Sequence, residues 1–316
     1  MRCERIFRDD TKTKWIDTYL QEPSCELKPN QARAAVLVCP GGGYKYLSDR
    51  EAEPIALTYA AMGYHAFVLH YGVDSEACMP GPIKDIAWAM AYIKRHSDEW
   101  LVDRDHIFVA GFSAGGHLAA SLGVFWNSDE MLPEYADARD EIKPAGMILG
   151  YPVIDLKSTA TALDIGIAGC PEYEDINYDM VHKNVRLEDI FVRDYEKNKT
   201  YINFEVAMNA YMFNGYPTDE DIYRYSLTNH VTPDTVPAFI WHGGDDGLIY
   251  PRNSVNFAKA LVDNGVKCEL HLFASGGHGL ALSNEITANN FWEIVPECEP
   301  WVKLSESFIK SFLRQQ

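Results

Sequence analysis

Basic residues are scarce in this chain. Its 316 residues include 28 lysines and arginines against 46 aspartates and glutamates, and the formal net charge is −18. A surface this acidic repels phosphate backbones and anionic membranes, so we expect neither a nucleic-acid partner nor a membrane partner. The sequence also lacks any run of about 18 apolar residues, the length that a membrane-spanning helix needs.

Cysteine motifs and targeting signals are absent as well. The seven cysteines form no CxxC pair and are odd in number, which argues against a disulfide framework and a zinc knuckle and predicts free thiols. Residues 1–14 are polar and lack the apolar stretch of a secretion signal, so we expect a cytoplasmic chain. The cysteines are Cys3, Cys25, Cys39, Cys78, Cys170, Cys268 and Cys298.

Short apolar runs alternate with amphipathic stretches along most of the chain. Six runs predict buried strands, at 33–40, 65–72, 106–112, 145–154, 236–243 and 268–274. Five stretches with apolar residues at helical spacing predict helices, at 51–63, 82–100, 114–126, 252–265 and 301–315. This alternation is typical of an α/β fold with a mainly parallel central sheet and helices on both faces. We expect one domain over residues 1–316.

One segment interrupts this alternation. About residues 155–232 separate two predicted strands, which is too long for an ordinary connection. Because open parallel sheets bind ligands beyond the carboxyl ends of their strands, we interpret this insertion as a helical cap over the site. The alternative is a surface excursion with no role at the site. The tyrosines of the insertion are Tyr173, Tyr178, Tyr195, Tyr201, Tyr211, Tyr216, Tyr223 and Tyr225.

The stretch 111–116 reads GFSAGG and fits the pattern G-x-S-x-G. It follows a predicted strand and begins a predicted helix, the context in which such a serine lies on a sharp, strained turn. Glycines two residues before and two after the serine remove the Cβ atoms that would clash in that turn. The pattern predicts Ser113 as a nucleophile. The alternative is a glycine-rich helix start.

A serine hydroxyl is a weak nucleophile without a general base. His278 follows the predicted strand 268–274 in a glycine-flanked loop, which would let its imidazole reach Ser113. His242 precedes a loop with two aspartates, and we expect it to support that loop. The remaining candidates fit structural positions in strands or in a helix: His65, His70, His117 and His271.

The imidazole needs a carboxylate that fixes its tautomer and stabilises its charged form. Asp245 and Asp246 follow the predicted strand 236–243, in the chain order serine, acid, histidine that is typical of this architecture. We favour Asp246, which leaves Asp245 to point to solvent or to cap the next helix. Asp155, at the end of an earlier strand, is a third candidate and fits a loop or cap position better.

A tetrahedral oxyanion requires N–H donors that are already in place. The backbone N–H of Ala114, directly after the serine, is one expected donor. The glycine-rich stretch 39–49, CPGGGYKYLSD, follows the first long strand and allows backbone amides to turn inward. We expect Gly42 and Gly43 to supply the other donors. The alternative is a flexible turn, whereas a phosphate loop is excluded because no GK[ST] follows.

Taken together, these motifs resemble the α/β-hydrolase superfamily, from about residue 33 onward. Finer phrases are similar to its acetyl-xylan-esterase-like, BD-FAE-type branch of carbohydrate esterases: PGGGY, GFSAGGHLAASL, YPVI, the Asn-Ser pair of YPRNS, and LHLFASGGHGL. The resemblance implies an α/β-hydrolase fold and a triad of Ser113, Asp246 and His278. Pro40 replaces the histidine of lipase-like relatives, as is usual in that branch.

The site and the resemblance predict a serine esterase that removes short acyl groups, acetyl above all, from carbohydrates. Its substrate would be a small-molecule or oligosaccharide ester, and it would need no metal or organic cofactor. An amidase or formamidase could use the same triad, whereas a peptidase of the prolyl-oligopeptidase type usually carries a β-propeller, for which 316 residues leave no room. A binding protein without catalysis is the least favoured alternative. Assembly into a homo-oligomer is left open.

Overall fold

The computed structural model describes residues 1–24, 26, 32–157, 163–175 and 184–314. The strands in these ranges are β1 (Arg5–Phe7), β2 (Trp15–Tyr19), β3 (Arg33–Cys39), β4 (His65–His70), β5 (Val102–Phe112), β6 (Gly146–Gly150), β7 (Leu163–Ala168), β8 (Phe191–Asp194), β9 (Lys199–Ile202), β10 (Ala238–Gly243) and β11 (Cys268–Phe273). The α-helices are α1 (Glu53–Ala61), α2 (Gly81–Arg95), α3 (Ser97–Trp100), α4 (Ser113–Phe125), α5 (Arg139–Ile142), α6 (Leu187–Ile190), α7 (Phe204–Phe213), α8 (Asp219–Tyr225), α9 (Arg252–Asp263) and α10 (Trp301–Leu313).

Eight strands form one sheet in the order β1-β2-β4-β3-β5-β6-β10-β11. Strands β4, β3, β5, β6, β10 and β11 run parallel, whereas β1 pairs with β2, and β2 with β4, in antiparallel register. The six predicted strands are therefore confirmed, and the sheet is mainly parallel as expected. The predicted helices are also present, although the stretch 82–100 is divided at His96 into α2 and α3.

The central strands are apolar on both faces because helices cover each face of the sheet. In β3 and β5, Leu37 and Val109 belong to one core with residues of α2, α4 and α9. Their neighbours Val36 and Phe108 belong to a second core with residues of α1 and α10. Side chains alternate between the two faces of a strand, so a doubly covered strand must be a continuous apolar run. The loops at the carboxyl ends of these strands form the candidate site.

Strands β1 and β2 lie where no strand is predicted. They are short, and polar residues such as Arg5 and Asp17 interrupt any apolar run. Their structure comes from pairing instead, since β2 places Ile16 opposite Leu69 of β4. Tertiary contacts of this kind commonly outweigh local strand propensity.

The insertion between β6 and β10 is not the helical cap that we expect from its length. Strand β9 pairs antiparallel with both β7 and β8 in a separate three-stranded sheet, and α6, α7 and α8 lie in the same segment. A short hairpin loop joins β8 to β9 and ends at Asn198, whose φ of +50° suits asparagine. Residues 158–162 and 176–183, which include Tyr178, lie outside the described residues.

Hydrogen bonds join the two ends of the insertion to each other. The Leu227 N–H donates to the Ile154 carbonyl oxygen at 3.1 Å, and the Leu156 N–H donates to Ser226 Oγ at 3.1 Å. The side chain of Asn253, from α9, accepts from the Ile154 N–H at 3.1 Å. The segment therefore leaves the body of the protein and returns to it at one place.

In the part of the chain that the structure describes, no helix combines the length and the apolar character that a bilayer-spanning segment needs. The six cysteines in that part are free, and Cys25 lies outside it. The cytoplasmic location stays a prediction.

Candidate active site

Ser113 lies at the junction of β5 and α4, with a backbone φ of +52°. This left-handed conformation costs a non-glycine residue roughly 1–2 kcal/mol. A Cβ on Gly111 would lie 2.1 Å from the Gly115 carbonyl oxygen, and a Cβ on Gly115 would lie 2.1 Å from that of Cys39. The turn therefore excludes any side chain at these two positions, which is the steric requirement behind the G-x-S-x-G pattern.

The Ser113 hydroxyl contacts an imidazole from the C-terminal part of the chain. Ser113 Oγ lies 2.8 Å from His278 Nε2, and His278 Nδ1 lies 2.8 Å from Asp246 Oδ2. His278 is in the loop after β11 and Asp246 is in the loop after β10. The structure thus brings the three predicted residues together in the series that proton transfer from a serine requires.

The Asp246 carboxylate is buried and accepts four hydrogen bonds. Oδ1 accepts from the N–H groups of Leu248 and Ile249, each at 2.9 Å, and Oδ2 accepts from His278 Nδ1 and from His242 Nε2. Burial raises the pKa of Asp246, but the charge of His278 and the hydrogen bonds from both histidines outweigh burial and hold the pKa well below its ordinary value. Asp246 is therefore ionised at neutral pH.

The charges around His278 favour its protonated form. Burial lowers the pKa of His278, whereas the charge and the hydrogen bond of Asp246 raise it, followed by the charge of Glu51. Arg50 opposes these two carboxylates, and the net pKa lies above the ordinary value for histidine. An imidazole with a raised pKa is a stronger base, which suits removal of a serine proton.

The two other candidate acids have different positions. Asp245 is exposed, as expected, but it does not cap α9, whose N-cap is Pro251. Its Oδ2 instead accepts from the Gly276 N–H at 3.2 Å and so holds the histidine loop. Asp155 lies at the base of the insertion, where burial raises its pKa. Of the three candidate acids, Asp246 is the one that bonds to His278.

His242 supports the acid loop, as predicted. Its Nε2 faces two acceptors, Asp246 Oδ2 at 3.0 Å and the Ile249 carbonyl oxygen at 2.8 Å, so this nitrogen carries a proton. Its Nδ1 lies 2.8 Å from Ser254 Oγ. Ser254 and its neighbour Asn253 are both buried at the start of α9. This Asn-Ser pair therefore fixes the acid loop through Ser254 and the base of the insertion through Asn253.

The glycine loop after β3 turns tightly beside Ser113. Gly42 and Gly43 have φ values of +129° and +63°, and a Cβ on Gly42 would lie 2.1 Å from the Tyr46 carbonyl oxygen. Both glycines line the same cavity as Ser113. Ala114 is in the first turn of α4, where backbone N–H groups have no partner within the helix. These positions suit three oxyanion donors, and that role stays a prediction.

His117 packs inside the protein, as predicted, and links the glycine loop to the insertion. Its Nε2 lies 2.8 Å from the Tyr225 carbonyl oxygen and its Nδ1 lies 2.8 Å from the Tyr44 hydroxyl. Because a carbonyl oxygen only accepts, Nε2 carries the proton and Nδ1 accepts from Tyr44. Burial lowers the pKa of His117 to about 4, so it is neutral at neutral pH. The other structural histidines lie in strands as expected: His65, His70 and His271.

Two buried residues beside the site bond to each other, although no sequence pattern links them. Glu51 follows the glycine loop and Tyr151 follows β6, and the Tyr151 hydroxyl donates to Glu51 Oε1 at 2.7 Å. One acid and one tyrosine, separated by 100 positions, form no motif. Tertiary structure alone sets this pair.

A cavity of about 430 Å³ opens at Ser113 and His278. Its polar side is formed by the glycine loop with Arg50 and Glu51. Its apolar side comes mostly from the insertion, and the residues are Ile202, Phe204, Ala207, Met208 and Tyr211, with Leu248 from the acid loop. The described part of the insertion therefore borders the site, and the cavity has the size of a small-molecule pocket.

A larger cavity, of about 840 Å³, lies at the amino ends of the parallel strands, away from the candidate site. Its lining includes Arg104, Pro237 and Lys267, which lie near the starts of β5, β10 and β11. Lys94 at this cavity donates to the carbonyl oxygens of Asp140 and Lys143, which is a structural role. Among the described residues, no group of three His, Cys, Asp or Glu side chains is arranged to hold a metal ion.

The chain is similar to known proteins over most of its length. A family model described as BD-FAE matches residues 25–261. Endo-1,4-beta-xylanase B of Butyrivibrio fibrisolvens is 29% identical over 257 residues, which are 80% of this chain and 33% of that protein. Acetylxylan esterase of Xylanibacter ruminicola is 24% identical over 285 residues, which are 88% of this chain and 47% of that protein. The chain thus spans between about a third and a half of the length of these curated relatives.

Solved structures extend the similarity to the whole fold. The crystal structure of the acetyl ester-xyloside bifunctional hydrolase from Caldicellulosiruptor lactoaceticus matches with a TM-score of 0.71 at 25% identity, over 98% of this chain and 97% of that one. An alpha/beta hydrolase enzyme from a Medee basin deep-sea metagenome library matches with a TM-score of 0.69 at 27% identity, over 99% of this chain and 98% of that one. The carboxylesterase Cest-2923 from Lactobacillus plantarum matches with a TM-score of 0.76 at 25% identity, over 98% of each chain. The predicted α/β-hydrolase fold is confirmed.

Proposed function

Because the chain belongs to the BD-FAE family, we propose that it is a serine-dependent carboxylic ester hydrolase that releases short acyl groups, acetyl above all, from a carbohydrate. The observation that carries the proposal is the hydrogen-bonded series from Ser113 through His278 to Asp246, with both links at 2.8 Å. A hydroxyl joined in this way to an imidazole and a buried carboxylate is an activated nucleophile. The acetylxylan esterase and the acetyl ester-xyloside hydrolase support the choice of acetyl and of a carbohydrate.

In the proposed acylation step, Ser113 Oγ attacks the ester carbonyl carbon while His278 Nε2 takes the serine proton. Asp246 stabilises the imidazolium that forms. The N–H groups of Gly42, Gly43 and Ala114 bind the oxyanion of the tetrahedral intermediate. The carbon–oxygen bond to the alcohol then breaks, and His278 gives its proton to the departing sugar oxygen.

In the proposed deacylation step, His278 removes a proton from water and the resulting hydroxide attacks the acyl carbon. The second tetrahedral intermediate releases the carboxylic acid. Ser113 leaves as the alkoxide and takes back the proton from His278, so the site returns to its first state.

We further propose that residues 1–316 form one domain in which the insertion walls the acyl site. Phe204, at the start of α7, lines the cavity. A Cβ on Gly43 would lie 3.2 Å from Phe204 Cζ, so the ring of Phe204 closes the space above the glycine loop. A wall this close to the expected oxyanion donors suits a short acyl group, with the sugar in the open part of the cavity.

Glycoside hydrolysis is the alternative that the xylanase relative raises. That chemistry uses two carboxyl groups that flank the scissile bond, about 5–9.5 Å apart. Of the described residues that line the cavity, Glu51 alone has a carboxyl group, and it is bonded to the Gly41 N–H and to Tyr151. Ester hydrolysis therefore fits the cavity better, and this chain covers only 33% of that relative.

The first test is the hydrolysis of p-nitrophenyl esters, from acetate to octanoate, by the wild type and by Ser113→Ala. We expect acetate to give the highest kcat/KM, because the wall at Phe204 limits acyl length. We expect Ser113→Ala to lower kcat by at least about 10³-fold, since the nucleophile is lost. Release of acetate from an acetylated xylo-oligosaccharide then tests the sugar.

Ser121→Ala is the matched control, because Ser121 is a second buried serine on α4 that donates to the His117 carbonyl oxygen at 2.8 Å. It should keep the wild-type rate. An Ser113→Ala variant as active as the wild type would contradict the triad. A wild type that cleaves p-nitroacetanilide and none of the esters would favour the amidase alternative.

A further inference from the structure

We propose that Glu51 is a positioning residue for this reaction: its carboxylate holds the glycine loop beside Ser113 and, through Tyr151, the loop that carries His278. The inference rests on the proposed function, since it concerns the same site.

Both carboxylate oxygens of Glu51 bond to loops of the site. Glu51 is 3% exposed, and an isolated charge at such a position would be strongly disfavoured. Oε2 accepts from the Gly41 N–H at 2.8 Å, and Oε1 accepts from the Tyr151 hydroxyl at 2.7 Å. The carboxylate therefore joins two segments that the chain separates widely.

The bond to Gly41 sets the direction of the glycine loop. The Gly41 N–H points to Glu51, directly before the two glycines that line the cavity. A Cβ on Gly41 would lie 2.7 Å from both Glu51 Oε2 and the Phe112 carbonyl oxygen, so the carboxylate and the end of β5 together exclude a side chain at this position. Fixing that peptide also constrains the amides of Gly42 and Gly43, which are the expected oxyanion donors.

The bond to Tyr151 extends the link to the histidine loop. The Tyr151 hydroxyl accepts from the Ala281 N–H at 2.9 Å, three positions after His278. Ala281 has a φ of +50°, and its carbonyl oxygen accepts from Trp301 Nε1 at 2.9 Å, so this strained residue is held from both sides. The Tyr151 ring also packs edge-on against His278, with ring centres 4.9 Å apart.

The charge of Glu51 raises the pKa of His278, as the charge of Asp246 does, but its effect is smaller. The groups that face the imidazole are Asp246 from the acid loop, Ser113 from α4, Tyr151 after β6, and Arg50 with Glu51 from the turn before α1. Arg50 opposes Glu51, but its guanidinium is paired with Glu293 at 2.7 Å. Removing the Glu51 charge should lower the pKa of His278, so the acid limb of kcat/KM should move to lower pH.

Glu51→Gln tests the proposal, because it keeps an acceptor for Gly41 and removes the charge. With p-nitrophenyl acetate we expect kcat to fall by about tenfold, KM to change by less than about twofold, and the acid limb to move down by about half a pH unit. Glu53→Gln is the matched control, since Glu53 is exposed two positions away and bonds to the Tyr19 hydroxyl. It should leave all three quantities unchanged.

Tyr151→Phe separates geometry from charge. This variant keeps the ring against His278 and loses both hydroxyl hydrogen bonds, while the Glu51 carboxyl group remains in place. We expect kcat to fall by about tenfold, with the acid limb at its wild-type pH.

An NMR titration of the His278 imidazole, assigned by comparison with His278→Ala, gives its pKa in the wild type and in Glu51→Gln without a substrate. A lower pKa in Glu51→Gln supports the proposal, and this result stands even if the wild type hydrolyses no ester, the outcome that would defeat the proposed function. An unchanged pKa, with kcat reduced only in proportion to the folded fraction, would show a merely structural role and overturn the inference.

Discussion

The proposed triad and the cavity wall beside it are held by different means. Ser113, Asp246 and His278 each follow a strand of the central sheet and are fixed by backbone geometry and by hydrogen bonds of 2.8–3.0 Å. Phe204 and Met208 reach the same cavity from α7, where apolar packing holds them. Hydrogen-bond geometry permits little change of shape, whereas an apolar wall can change volume at modest cost. Under the proposed function, we therefore expect separate parts of the molecule to determine the reaction type and the substrate size.

The largest expected loss of activity comes from substituting the proposed triad acid, and it should distinguish this residue from the neighbouring aspartate. Asp246→Asn should lower kcat/KM by about 10³-fold or more, because the amide cannot stabilise the imidazolium or hold its tautomer. Asp245→Asn should lower it by less than about tenfold, since Asp245 contacts the histidine loop only through the Gly276 N–H. Steady-state kinetics on p-nitrophenyl acetate measures both. Equal losses, or a larger loss at Asp245, would show that the acid is assigned wrongly.

A smaller effect is expected at the wall. Phe204→Ala should enlarge the part of the cavity that holds the acyl chain. Because a pocket that is too small excludes additional methylene groups, we expect the ratio of kcat/KM for octanoate to that for acetate to rise by about tenfold. Phe213→Ala is the matched control: Phe213 is on the same helix but packs on Tyr225. It should reduce stability and leave the ratio unchanged. If both variants shift the ratio alike, the wall is not a local specificity feature.

The smallest expected effect concerns the strained backbone at Ser113, which belongs to the proposed triad. Glycine adopts the φ of +52° at position 113 freely, whereas alanine does not. Ser113→Gly should therefore be about 1 kcal/mol more stable to urea unfolding than Ser113→Ala, although neither is active. Equal stabilities would mean that the turn relaxes when the hydroxyl is removed.

The parts of the site that the sequence predicts are those that local sterics determine. The turn at Ser113 needs glycines at 111 and 115, and each would clash with backbone if it carried a side chain. Strand β5, which ends at that turn, follows from an apolar run of the kind that two helical layers require. Each of these features depends only on residues that are close in sequence, so it can be predicted without a structure.

The parts that the sequence does not predict depend on pairing between distant segments. Glu51 and Tyr151 meet across 100 positions, and β2 becomes a strand only against β4. The strands of the insertion are short, so their periodicity is too weak to outweigh an expectation based on segment length. In each case a tertiary contact supplies what local pattern lacks.

The closed base of the insertion has a consequence for how this fold diversifies. Its two ends are already joined between Ile154 and Leu227, so the chain between them forms a loop whose entropy of closure grows only slowly with length. Evolution or an engineer can lengthen, shorten or graft this segment without opening the sheet beneath it. Under the proposed function, we expect that the same triad can be fitted to new esters by exchanging one continuous piece of gene.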